Sequence, residues 1–191
     1  MEGKSSKETV TESEFPFVRG AHEAEINVGA YWSLDTDGTA RLPDTALALG
    51  TVSYGWMLTD VRGDGFCRGN WEFLVDAYGG GIFDGPGDVL FGLGISLRYN
   101  FVPPHPAVVP FVDIGGGGAY SDAANDDSVQ AVFGSDFVFQ LHAALGLRFM
   151  CSDRFAITVK CQYLHFSNAG LGDRNHGLNG LGGALGVSFF Y

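Results

Sequence analysis

Three polar side chains near the C-terminal end of the chain carry the chemistry worth asking about. His165 and Ser167 stand two residues apart on a strand-like run, and Asn179 stands on the next one. Side chains alternate across a β-strand, so residues i and i+2 project from one face. A hydroxyl beside an imidazole on one face can act as nucleophile and base, because a serine is too weak a nucleophile without a neighbouring base. The blander alternative is that a His and a Ser at a strand end merely mark a membrane interface. What makes the first reading worth following is the company they keep. In the run 154–167, Phe155, Ile157, Val159, Cys161 and Tyr163 share the parity of His165 and Ser167, while Ala156, Thr158, Lys160, Gln162 and Leu164 take the other. The run that ends at Tyr191 repeats this: Leu181, Leu185, Val187 and Phe189 share a parity with Asn179. Polar groups therefore sit at one end of two otherwise greasy faces.

The elements that must position them are strands. Alternation is legible over 22–34, 69–83, 89–101, 107–120, 133–149 and 154–167, with a less regular run at 45–58 and the closing run to Tyr191. Gly residues number 29 and aromatics reach 14%, a composition that suits short alternating segments of a barrel and not helices. Hydrophobic residues make up 46% of the chain, yet no stretch approaches the roughly 20 apolar residues of a spanning helix. Pro103, Pro104 and Pro106 interrupt the ladder and mark a connection. Asp35–Gly38, Asp84–Gly87 and Cys151–Asp153 read as turns.

The two parities decide which way the barrel faces. One is broad, apolar and aromatic, as in Val89, Phe91, Leu93, Ile95, Leu97, Tyr99 and Phe101; the other holds Glu72, Asp76, Ser96, Arg98, Asn100, Asp113, Gln140, His142, Arg148, Lys160 and Gln162. An eight-stranded barrel has an interior only wide enough for side chains, and the large apolar set would overfill it. The expected fold is therefore an all-β, eight-stranded antiparallel transmembrane β-barrel with its apolar side chains outward and the polar set interlocked inside. A lipocalin-like soluble barrel is the alternative architecture. Glu72, Asp76, Arg98 and Arg148 are expected to form an interior salt-bridge network, and the Gly115–Gly118 run is expected to make room for bulky neighbours. Residues 1–20 read as a flexible polar segment without the apolar stretch of a signal peptide, so that a leader has been removed or the start is internal; 21–191 form the barrel. With both ends of the chain on the periplasmic side, His165, Ser167 and Asn179 fall at the outer ends of their strands.

A net charge of -11 argues against nucleic acid as a partner. Cys67, Cys151 and Cys161 form no zinc pattern and imply no disulfide framework, although a Cys67–Cys151 bridge is not excluded by spacing. No metal constellation stands out, and no cofactor is expected.

The run His165-Phe166-Ser167-Asn168-Ala169-Gly170-Leu171, followed by Asn175 and Gly177, resembles the signature of the PagL-type lipid A 3-O-deacylases, outer-membrane acyloxyacyl hydrolases. The resemblance extends weakly back through Val109–Gly115 and through Gly134-Ser135. It implies an esterase of the bacterial outer membrane with lipopolysaccharide as partner, which removes the 3-linked acyl chain of lipid A at a lipid-facing site near the outer leaflet. It implies Ser167 as nucleophile, His165 as general base, and the backbone amides near Asn168 and Gly170 as an oxyanion hole. The family's orienting glutamate falls on Asn179, the main departure. Four readings stand open: Asn179 supports catalysis as an amide, Asp173 in the preceding loop substitutes for it, Asn179-Gly180 deamidates to an acid, or the chain is an inactive relative with a structural or interaction role. A homodimer is compatible with the sequence.

Overall fold

The computed structural model describes residues 16–34, 44–125, 134–172, 175 and 177–191. Eight strands follow one another: β1 (His22–Ser33), β2 (Ala46–Met57), β3 (Gly69–Asp84), β4 (Val89–Phe101), β5 (Val108–Ser121), β6 (Phe137–Ser152), β7 (Phe155–Ser167) and β8 (Leu178–Phe190). Each pairs antiparallel with the next, and β1 closes the barrel on β8 in a register that runs from Glu23 opposite Phe190 to Ser33 opposite Gly180. Closure leaves no strand edge unpaired, which is what a sheet immersed in hydrocarbon requires.

Side-chain direction follows the alternation. Phe91, Leu93, Phe139 and Leu141 are 55%, 67%, 40% and 58% exposed, whereas Arg98 is 1% and Lys160 7% exposed. A water-soluble barrel would show the reverse, so the wall faces an apolar solvent. Aromatic pairs such as Tyr54–Trp56 and Trp71–Tyr99, with ring centroids 4.6 and 4.9 Å apart, stand on that wall near the end where β1 begins. This is the place of an interfacial aromatic belt.

The interior has three levels. At the end where β1 begins, Phe17, Ala21, Met57, Val102, Val109, Ala156 and Phe190 pack together. At the opposite end lie Tyr31, Leu47, Leu49, Leu90, Val138, Leu164, Phe166 and Leu178. Between them runs a charged lattice. Arg98 donates to Glu25 at 3.0 and 3.3 Å and to Asp113 at 3.1 and 3.2 Å. Arg148 donates to Glu23, to Glu72 at 3.3 Å and to Asn100 at 2.7 Å. Both guanidinium groups also lie over the Phe111 ring. Glu72, Arg98 and Arg148 of the expected network are joined, with Glu23 and Glu25 of β1 at its centre, whereas Asp76 pairs with neither arginine and accepts a hydrogen bond from Ser96. The glycine run behaves as expected: a methyl on Gly115 would stand 2.5 Å from His142 Cε1, and one on Gly117 would stand 2.0 Å from the Leu93 carbonyl oxygen.

The bounds of two elements need correction. The leading segment packs into the barrel before residue 20. Residues 1–15 lie outside the described residues, but Phe17 is wholly buried, its ring 5.8 Å from that of Phe190, and its carbonyl accepts a hydrogen bond from Asn70. Phe17 thus joins the apolar cluster that caps the interior at this end, with Val18 packed against it. Strand β6 starts at Phe137 and not at 133; Gly134–Asp136 bend, and 131–133 lie outside the described residues. Its far end runs on through Cys151 to Ser152, because a register shift between Met150 and Ser152 absorbs a residue that sequence spacing assigns to the turn. Cys67, Cys151 and Cys161 are all free and exposed, in keeping with a sequence that implies no disulfide framework.

Replacing Arg98 by Met should cost roughly 3–5 kcal/mol, because Glu25 and Asp113 would keep buried charges without their partner. Reversible urea unfolding in lipid vesicles measures this; a loss under about 1 kcal/mol would show that the lattice does not hold the barrel.

Candidate active site

Strands β7 and β8 meet with His165 directly opposite Asn179. Ser167 ends β7, opposite Phe139 of β6. The flanking residues Leu164 and Phe166 are 3% and 1% exposed and lie in the inner plug, as does Leu178. Burying them on the inside turns His165, Ser167 and Asn179 to the outer wall, where all three are half-buried. The sequence reading of this face and register is what the structure displays.

His165 Nδ1 lies 2.8 Å from Asn179 Oδ1, and the Tyr163 hydroxyl donates to the same oxygen at 2.6 Å. An amide oxygen only accepts, so Nδ1 carries the proton and Nε2 keeps its lone pair. That is the tautomer that can take a proton from a hydroxyl. Among the described residues no hydrogen bond joins Ser167 to His165. The two nevertheless border one gap: a methyl on Gly177 would stand 3.4 Å from His165 Cε1, on the ring edge between the two nitrogens, and 3.9 Å from Ser167 Cβ. Gly177 has φ +70°, so it also holds a backbone conformation that other residues adopt at a cost.

After Ser167 the chain turns sharply, with Ala169 at φ 49° and Gly170 at φ 80°. The turn is tied internally. The Asn168 amide N–H donates to Asn175 Oδ1 at 3.1 Å, and the Gly170 N–H donates to Asn168 Oδ1 at 2.9 Å. Both amides that the resemblance suggests for an oxyanion hole are thus occupied by side-chain oxygens of their own loop. Asp173 lies outside the described residues. An enclosed space inside the barrel is lined by Tyr31, Asp76, His142, Lys160 and Gln162 among others, but none of His165, Ser167 and Asn179 forms its wall. The polar lattice and the outer group are separated by the sheet. Sequence reasoning left Tyr163 as one apolar-face residue among several; its only signal was a shared parity with His165 and Ser167.

A closed wall, apolar outside and ionically latticed inside, defines a transmembrane β-barrel. The chain belongs to the family described as Lipid A 3-O-deacylase (PagL), whose model matches residues 26–188 and therefore spans every described site residue. Solved structures share the fold: the neisserial surface protein NspA (16% identity, 90% of this chain and 99% of that one, TM-score 0.62) and the outer-membrane enzyme PagL (20% identity, 87% and 98%, TM-score 0.56). The N-terminal β-barrel domain of Pseudomonas aeruginosa OprF is similar as well (18% identity, 91% and 98%, TM-score 0.54). No curated protein matches the sequence.

Gly177→Ala should press a methyl against the Phe166 carbonyl and the His165 ring. In an assay of the family's reaction, the variant is expected to lose roughly ten- to a hundredfold in rate while it still folds, as judged by its shift on heating in gel electrophoresis. An unchanged rate would mean that the gap beside Gly177 has no bearing on the reacting groups.

Proposed function

We propose that this chain is an outer-membrane esterase that hydrolyses the 3-O-linked acyl chain of lipid A, with Ser167 as nucleophile and His165 as general base. The observation that carries the reading is the His165–Asn179 hydrogen bond on the apolar wall, beside Ser167, in a chain of this family. Fatty esters of a lipid reach such a site sideways from the leaflet, so the barrel needs no internal pocket. With the start of β1 on the periplasmic side, the site faces the outer leaflet, where lipopolysaccharide lies.

The chemistry runs as acyl transfer to serine. Ser167 Oγ attacks the ester carbonyl as His165 Nε2 takes its proton. The resulting imidazolium stays tied through Nδ1–H to Asn179 Oδ1. The oxyanion is stabilised by backbone N–H groups of the 168–170 turn, which exchange the Asn175 and Asn168 side-chain oxygens for the substrate. Collapse of the intermediate breaks the ester bond, and His165 returns its proton to the leaving 3-hydroxyl of the sugar. Water, deprotonated by the same imidazole, then attacks the acyl-serine and releases the fatty acid.

Asn179 sets the limit on rate. An amide orients the imidazole but offers no charge to the imidazolium; in a serine protease the acid-to-amide change costs about 10⁴ in kcat, through a wrong tautomer. Here the amide oxygen faces Nδ1, which favours the useful tautomer. The neutral Asn179 and the occupied amides of Asn168 and Gly170 favour a second reading, an inactive barrel relative with a structural or interaction role.

Purified protein incubated with lipopolysaccharide, followed by mass spectrometry of lipid A, separates the two. Loss of one hydroxyacyl chain is expected, absent in Ser167→Ala. Asn179→Glu should raise the rate at least about tenfold by restoring a charge beside the imidazolium. Intact lipid A after exposure to well-folded protein, with Asn179→Glu equally inert, supports the inactive barrel.

A further inference from the structure

We infer that Gly116 of β5 is a positioning residue for the reaction: it seats Leu141 of β6 and so keeps the Nε2 edge of His165 open to the leaflet; this rests on the esterase reading above. The glycine run of β5 divides by parity. Asp113 points into the barrel, and Gly115 and Gly117 share its parity. A methyl on Gly115 would meet the Ser96 hydroxyl and the His142 ring, and one on Gly117 the backbone of β4. Gly116 and Gly118 take the opposite parity, that of the exposed Ile114 and Tyr120, and belong to the outer wall. A methyl there would meet something else: at Gly116 it would stand 2.8 Å from Leu141 Cδ2, and at Gly118 2.9 Å from Phe137 Cζ. Both atoms are the far ends of β6 side chains. The tip of the leucine and the edge of the phenylalanine ring therefore lie over β5, in space that any residue but glycine would fill.

The place of Leu141 connects this to the site. It is paired with Gly116 on one side and with His165 on the other. Directly opposite residues have Cβ atoms about 4.5–5.5 Å apart, so a leucine there leans on one neighbour or the other. His165 turns Nδ1 to Asn179 on β8, at 2.8 Å. The ring hangs from Cγ, so its other edge, Cδ2 and Nε2, is turned to the β6 side. Nε2 is the atom that takes the proton of Ser167. A leucine leaning to β7 would lie against that edge, and a leucine seated on Gly116 leaves it clear. A methyl on Gly116 would press on the tip of a flexible side chain, with the Gln140 carbonyl oxygen at 3.0 Å as the nearest backbone atom. A change of leucine rotamer is easier than a shift of the sheet, so Leu141 gives way first, and the strand on its other side is β7.

The test uses the full chain in detergent micelles and two readouts. Diethyl pyrocarbonate attacks the lone-pair nitrogen of a neutral imidazole, so its rate at His165, followed by mass spectrometry of that peptide, reports access to Nε2 without calling on Ser167. Lipid A deacylation gives kcat/KM. In Gly116→Ala both should fall about tenfold. Leu141→Ala alone should leave both within about twofold of the unmodified chain, because the leucine already stands aside, and in the Gly116→Ala background it should restore both to that level. An unchanged modification rate in folded Gly116→Ala overturns the inference. Failure of Leu141→Ala to rescue overturns it too and marks Gly116 as a packing residue. A large gain of reactivity in Leu141→Ala alone, or an unmodified chain whose His165 does not react, would show that the ring is covered already, and this decides the matter even if Gly116→Ala fails to fold. If the unmodified chain deacylates nothing, the esterase reading falls, and the modification rates alone still decide the role of Gly116.

Discussion

Hydrocarbon offers no partner to a polar group, and the whole molecule answers to that. The backbone must close on itself, so eight strands form a ring with no edge. Charged side chains must point inward and be paired there, so Arg98 gathers Glu25 and Asp113, and Arg148 gathers Glu23, Glu72 and the Asn100 amide. Apolar plugs at both ends, with Phe17 and Phe190 in one and Leu90 and Phe166 in the other, close off that lattice. The interior is a strut and not a passage. Breaking a buried pair by removing one partner is far more damaging than replacing the whole set, which is why such lattices hold a barrel in one register.

The same constraint explains why the candidate site is so small. Polar groups on the outer wall can stand only where they satisfy one another, and near a rim. His165, Asn179 and Tyr163 do so through a single amide oxygen. Leu164 and Phe166, locked in the plug, leave the intervening positions no choice of face. The sheet that keeps ions inside therefore also turns His165 and Ser167 to the outer wall. The turn after Ser167 is tight, with Ala169 and Gly170 at positive φ, and its amides are tied to side chains of the same loop.

The faces were legible in the sequence because a strand has a period of two and the apolar and polar sets hardly mix. Glu72, Arg98, Lys160 and Phe91 each lie on the side their parity demands. The pairing of His165 with Asn179 followed from the same rhythm and from the family resemblance. What alternation could not reveal was contact across the barrel: Glu23 and Glu25 read simply as polar residues of a first strand, yet they receive both arginines. Phe17, close to Phe15 and Val18 at the end of a polar run, belongs to no alternating stretch and gave no period to read. The bulge between Met150 and Ser152 hid the end of β6, since an extra residue breaks the parity that marks a strand. The engagement of the Asn168 amide depends on where Asn175 folds back, and that of Gly170 on the rotamer of Asn168, neither of which spacing specifies. Tyr163 was one aromatic among many on a wall of them, and only its distance to Asn179 sets it apart.

The central claim is that an activated serine faces the membrane's apolar phase. A long-chain alkyl fluorophosphonate dissolved in the bilayer tests it directly, with mass spectrometry of the peptide that contains Ser167. One phosphonyl adduct on Ser167, lost in His165→Asn and out of reach of a water-soluble analogue, is the predicted result. A folded barrel that remains unmodified, or one modified equally by the water-soluble reagent, would contradict it.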